Sequence, residues 1–161
     1  MKGFSEKIYL SLKMPTEEVP VSDQKRIQLA LETLGYENVT MPLPVLRMLY
    51  PMCREADFDI TVTLVHRETD WVIVNVEPGD QREKHYGLAV DYGSTTIVMQ
   101  LIDMNSGTVI DQVKDVNGQT AYGTDILSRI TYSLEDHAHM DDLQRATAKN
   151  FESLLAELTE N

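Results

Sequence analysis

Tyr86-Gly-Leu-Ala-Val-Asp-Tyr-Gly-Ser-Thr-Thr-Ile-Val-Met-Gln-Leu-Ile-Asp-Met104 reads as a strand, a tight polar turn and a second strand. Leu88 and Val90 alternate with smaller residues before the turn. Ile97, Val98, Met99, Leu101 and Ile102 follow it in an apolar, partly β-branched run, so both flanks fit strands with a buried face. Between them, Asp91-Tyr-Gly-Ser-Thr-Thr96 supplies a carboxylate, a flexible backbone and three hydroxyls. Such a turn can hold phosphate oxygens on its hydroxyls and N–H groups, while the carboxylate faces a hydrated divalent cation that bridges those oxygens. The same residues suit an ordinary hairpin, in which glycine supplies a positive φ and the hydroxyls are solvated. The short motif alone leaves both readings open.

Working outward, Asn105-Ser-Gly107 turns the chain into Thr108-Val-Ile-Asp-Gln-Val-Lys-Asp-Val116, a third strand of an antiparallel meander. The polar loop from Asn117 to Gly123 leads to a helix expected from about Thr124, with Ile126, Leu127, Ile130 and Leu134 at helical spacing. Leu143, Thr147, Phe151, Leu154 and Leu158 mark one face of a final amphipathic helix. Between these helices, Asp136-His-Ala-His139 with Asp141 and Asp142 offers imidazoles and carboxylates to a metal. The reading adopted is a solvated loop in which Asp141 or Asp142 caps the last helix, with no residue assigned to a metal.

The half before Tyr86 has its own pattern. Ile8, Leu10 and Leu12 alternate with polar neighbours as in a strand with one buried face. Ser22 is placed to cap a helix carrying Ile27, Ala30, Leu31 and Leu34, which Gly35 can close. Pro42 and Pro44 introduce a second helix in which Val45, Leu46, Leu49 and Cys53 share a face. Phe58 to Val65 and Trp71 to Val76 then read as a hairpin. These elements make a β-α-α-β-β domain, expected over residues 1–79, with 80–85 as a charged linker and 86–161 as a second domain. The fold class is therefore α+β: a small layered domain, then a three-stranded meander with two helices.

Composition narrows the function. With 42% hydrophobic and 25% charged residues the chain fits a globular protein, and a net charge of -12 argues against nucleic acid or an anionic membrane as partner. The single cysteine, Cys53, can hold neither a disulfide nor an iron–sulfur cluster alone. No signal-peptide pattern or spanning apolar run is present, so a cytoplasmic location is expected. No P-loop, dinucleotide fingerprint or catalytic triad is legible, and no residue is assigned a catalytic role.

Gly87-Leu-Ala-Val-Asp-Tyr-Gly-Ser-Thr-Thr96 resembles the first phosphate motif of the actin, sugar-kinase and heat-shock-chaperone ATPases. Asn117-Gly-Gln-Thr-Ala-Tyr-Gly-Thr-Asp-Ile-Leu-Ser-Arg-Ile130 is similar to a segment of one branch, the reductive activators of corrinoid-dependent methyl-transfer proteins. Glu6 to Lys13, Leu43 to Glu55, Ile60 to Leu64 and Glu77 to Asp80 resemble the middle domain that precedes the ATPase domain there. The resemblance implies a partial actin-like, ribonuclease-H-like lobe in which Asp91 faces Mg-bound water and Gly93, Ser94, Thr95 and Thr96 hold phosphates. Asn117, Gln119 and Asp125 would border the cleft. It further implies ATP and Mg as cofactors, a [2Fe-2S] centre in the parent though not in this chain, and reduction of Co(II) corrinoid to Co(I).

Two departures stand out: Tyr92 occupies an aliphatic position of the motif, and Gly118 replaces a proline in Asn-Pro-Gln. Within these 161 residues no second phosphate motif and no second lobe is expected. The expectation is an electron-transfer ATPase fragment, inactive alone, that serves a corrinoid protein and, with a sheet edge and apolar surface open, either self-associates, with a homodimer as one outcome, or has a loosely ordered C-terminal part. The alternatives are a non-catalytic interaction module and part of another kinase or ATPase of the same superfamily.

Overall fold

The computed structural model describes residues 4–18 and 20–160; residues 1–3, Val19 and Asn161, including the outer ends of the expected 1–79 and 86–161 domains, lie outside the described residues. The chain forms two compact units, Met1–His85 and Tyr86–Asn161. Together they make an α+β protein, with one mixed four-stranded sheet and one antiparallel three-stranded sheet.

In the first unit, β1 (Ser5–Ser11), α1 (Asp23–Thr33), β2 (Val39–Thr40), α2 (Leu43–Glu55), β3 (Asp59–Arg67) and β4 (Asp70–Pro78) build a sheet in the order β1-β3-β4-β2. The β3–β4 hairpin is tighter than the sequence suggests, since only Glu68 and Thr69 separate its strands. The short β2, parallel to β4, is an addition to the β-α-α-β-β expectation. Ser22 caps α1 by accepting from the Lys25 N–H, and Gly35 follows its end at φ +87°. Leu34 falls past the last helical turn and is exposed rather than on the core face.

Ile27 and Leu31 of α1, with Val45, Leu49 and Cys53 of α2, cover Ile60, Val62, Leu64 and Ile73 of the sheet. Each fully buried aliphatic side chain contributes about 1.5–3 kcal/mol, so this layer holds the unit together. Burial pushes the Cys53 thiol pKa up, as for an inert core cysteine. The opposite face of the sheet is polar. There the Thr61 hydroxyl donates to Gly79 O at 2.6 Å and accepts from Gln81 N at 2.9 Å, and Ser5 Oγ bonds His85 Nε2 at 3.1 Å. Residues 80–85, expected as a linker, thus lie against this sheet, with His85 buried.

The second unit contains β5 (Tyr86–Tyr92), β6 (Thr96–Asp103), β7 (Thr108–Val116), a 3-10 turn (Gly118–Tyr122), α3 (Ile126–Glu135) and α4 (Ala138–Glu160). Ile97, Met99 and Val113 on one sheet face pack against Leu154 and Leu158 of α4, with Leu101 and Phe151 at the margin. The last helix begins earlier than its acidic pair suggests: Asp136, not Asp141 or Asp142, accepts from the Ala138 N–H. Among the described residues, no group of three or more His, Cys, Asp or Glu side chains gathers as a metal site, and no helix is long and apolar enough to cross a membrane.

The apolar positions of α3 do not make a core. Ile126, Leu127, Ile130 and Leu134 are 59%, 72%, 50% and 80% exposed, and the buried residue of this helix is Arg129. Helical spacing shows that a face exists, but not which side the unit covers.

Candidate functional site

β5 and β6 pair in register from Tyr86↔Asp103 to Tyr92↔Ile97 and leave Gly93, Ser94 and Thr95 as the turn. The turn closes with Gly93 N donating to Thr96 O at 3.0 Å. Gly93 is required by space rather than by a positive φ: a Cβ there would lie 2.6 Å from Thr96 O, a backbone atom. Asp91 lies opposite Val98 across the strands and is exposed, as are Ser94, Thr95 and Thr96.

Beneath the turn every carbonyl is engaged. Asn117, fully buried, donates from Nδ2 to Gly93 O at 2.9 Å and from its own N–H to Thr95 O at 2.8 Å. Arg129, 5% exposed, donates from Nη2 to Ser94 O at 2.5 Å and from Nε to Gly123 O at 2.8 Å. In a trans peptide the N–H points opposite to the C=O. Among the described residues no cis bond is present, so the N–H groups of Ser94 and Thr95 are directed away from Asn117 and Arg129. With the exposed hydroxyls of Ser94, Thr95 and Thr96, they are the hydrogen-bond donors that the turn presents on its outer side.

The loop residues are placed differently from one another. Asn117 Oδ1 accepts from Gln119 N at 2.9 Å, starting the 3-10 turn. Gln119 turns to α4, its Nε2 donating to Leu143 O and to Thr147 Oγ1. Asp125 caps α3 in a reciprocal pair with Ser128. Its carboxyl is held below the ordinary carboxylate range, chiefly by the Ser128 N–H and to a lesser degree by Arg129. Ser94 and Thr95 therefore lie on the turn, Thr96 at the start of β6 and Asp91 on β5 two residues before the turn, while Asn117 lies behind it and Gln119 and Asp125 are engaged in local structure.

Both departures from the motif have local partners. Tyr92 donates or accepts at Thr147 Oγ1, 2.7 Å away, with its ring 6.1 Å from Phe151. Gly118 N donates to Asn150 Oδ1 at 2.6 Å, a bond that proline cannot make, and a Cβ there would meet the same oxygen at 2.9 Å. Asn150 also donates to Asp115 Oδ2 and Val116 O, joining α4 to the end of β7. Neither Arg129 nor Asn150 was assigned a role by the sequence. A polar residue inside an otherwise amphipathic helix was the available signal, but its partners are distant in the chain.

Sheet, turn and polar support define an α+β protein whose β5–β6 turn is held from behind by buried polar side chains. The chain belongs to the RACo family: residues 1–83 match the model described as the RACo linker region and residues 86–161 the RACo middle region. The name "middle region" thus falls on the second unit, and "linker region" on the unit read from sequence as the middle domain. A curated relative, the corrinoid activation enzyme RamQ of Eubacterium limosum, is 31% identical over 87 residues, 53% of this chain and 15% of that protein. A solved structure, "Reductive activator for corrinoid,iron-sulfur protein", is 27% identical with a TM-score of 0.82, covering 99% of this chain and 25% of that one. The chain therefore spans a minor part of the length of either relative.

Proposed function

We propose that this chain supplies the first phosphate-binding element of an ATP-dependent reductive activator, which returns Co(II) corrinoid proteins to Co(I). The observation that carries this reading is the turn at residues 93–95, whose carbonyls are held from behind by Asn117 and Arg129 while its hydroxyls face outward. In this reading Ser94, Thr95, Thr96 and the Gly93 backbone hold phosphate oxygens. Asp91 would be the carboxylate toward a hydrated Mg ion, and Asn117, Gln119 and Asp125 would border the cleft. Bound ATP supplies the free energy for an uphill one-electron reduction of cobalt. The electron comes from a [2Fe-2S] centre outside this chain, since Cys53 is single and fully buried.

The partner is a cytoplasmic corrinoid protein of a methyl-transfer system, and this piece has no turnover of its own because one wall of a cleft cannot position a nucleotide for hydrolysis. The test is a Mg-ATP titration of the isotopically labelled 161-residue chain, followed at the amides of Gly93 to Thr96. Saturable shifts centred on the turn are expected. Silence at millimolar nucleotide removes the phosphate reading.

A second reading, an interaction or dimerisation module, is favoured by the exposed stripe Ile126, Leu127, Ile130 and Leu134 and by the edge position of β5. Sedimentation separates the two: concentration-dependent association lost in Leu134→Glu supports a module, and a monomer at all concentrations counts against it.

A further inference from the structure

We propose that Arg129 is the positioning residue of the anion site at the turn, and that its guanidinium makes the site prefer polyvalent over monovalent anions. The inference rests on the phosphate reading above and adds to it a residue and a charge preference. Arg129 is a buried cation, yet among the described residues no carboxylate comes within ion-pair distance of it. The acidic group electrostatically linked to it, Asp125, is committed to the Ser128 cap.

Burying a cation without an anion is costly unless dipoles replace its water. Here the carbonyls of Ser94 and Gly123 do so, and Gly123 is shaped for the purpose: a Cβ on it would sit 3.1 Å from Arg129 Cγ and 2.5 Å from Ser128 Oγ. Carbonyl dipoles solvate the guanidinium but leave its net charge in place. That charge lies one peptide group behind the outward N–H of Thr95, in surroundings less polarisable than water, where its field reaches the turn with less screening. In a chain of net charge -12, a fixed positive charge at this point offsets the general repulsion of anions.

Coulomb attraction scales with ligand charge, whereas hydrogen bonds from the turn to one phosphate group do not. Arg129 therefore acts on the slope of affinity against charge. The experiment titrates the full chain and its Arg129→Met and Arg129→Lys variants with inorganic phosphate, pyrophosphate and triphosphate at constant ionic strength, reading the amides of Ser94 and Thr95. Wild-type affinity is expected to rise about tenfold or more from phosphate to triphosphate, and this rise to shrink to roughly threefold in Arg129→Met. Arg129→Lys should recover most of the slope but not the absolute affinity, because lysine keeps the charge and loses the planar fork.

A purely structural role predicts the same fold loss for every anion, with the slope unchanged, and that result overturns the inference while leaving the phosphate site intact. If wild type binds none of the anions, the phosphate reading fails and the role of Arg129 falls with it. Should both variants unfold, the wild-type Arg129 Nε–H resonance decides. It is expected to shift with the same midpoint as Thr95 on adding triphosphate, and a resonance that stays still refutes the proposal.

Discussion

Replacing Asn117 by alanine removes the support of the turn at its most connected point. The side chain is fully buried and makes two bonds of 2.9 Å, to Gly93 O and from Gln119 N. Each backbone group left buried without a partner costs about 1–3 kcal/mol, and the vacated volume adds to that, so a loss of about 3 kcal/mol is expected. For a unit of this size the midpoint temperature should fall by on the order of 15 °C. The chain provides its own control, because its single tryptophan, Trp71, belongs to the first unit. Urea unfolding followed by far-ultraviolet dichroism should lose stability in the second unit's transition, while Trp71 fluorescence keeps its midpoint. Hydrogen exchange at Gly93 and Asn117 should accelerate alongside. Asn117→Asp keeps the acceptor for Gln119 but sets a carboxylate against the Gly93 carbonyl, so it should be at least as damaging. A loss below about 0.5 kcal/mol in the alanine variant would refute the claim that this side chain organises the turn.

The turn glycine Gly93 and the β5 glycine Gly87 should respond to alanine with different severity. Gly93→Ala meets the Thr96 carbonyl at 2.6 Å and should cost roughly 1–3 kcal/mol, whereas Gly87→Ala meets the movable Met104 thioether and should stay within about 1 kcal/mol, as read from paired thermal melts. Gly118→Pro, which reinstates the proline of the resembling motif, should destabilise the second unit by about 1–3 kcal/mol because Asn150 Oδ1 loses its 2.6 Å donor; unchanged stability would show that the loop readjusts. In the first unit, burial and the bond to Glu6 push the Tyr36 hydroxyl up from 10.0 to about 12. Its folded pKa is raised, so its contribution is complete below pH 10 and disappears as the pH climbs through about 12. Denaturation midpoints read from Trp71, whose ring lies 5.2 Å from Tyr36, should fall over that window in wild type and stay flatter in Tyr36→Phe; coincident curves would remove the assignment.

The strands and most of the helices were legible because period-two and period-3.6 patterns report which face is covered, as with Ile60, Val62 and Leu64 or Leu154 and Leu158. The α3 stripe shows where that logic ends: periodicity reveals a common face, while burial depends on neighbours that the pattern does not contain. The turn itself was recognisable from Asp91 to Thr96, since its chemistry is local. Of its supports, Asn117 was named through the resemblance as bordering the cleft, but its bond to Gly93 and the role of Arg129 were not legible, because those bonds span 24 and 35 residues. The charged stretch 80–85 misleads for a related reason: charge reports solvent contact on one side, and says nothing of the backbone and hydroxyl bonds that Thr61 and Ser5 make on the other.

Because the turn is held through its carbonyls, the side chains of Ser94 and Thr95 carry none of its folding, and among the described residues neither hydroxyl has a bonding partner. Mutational tolerance is thereby divided between two layers. A library selected only for folded protein should accept wide variation at these two positions and little at Asn117, whereas one selected for ligand binding should constrain both. The loop can exchange its contact groups without renegotiating its scaffold, which makes this hairpin an evolvable surface on a fixed mount.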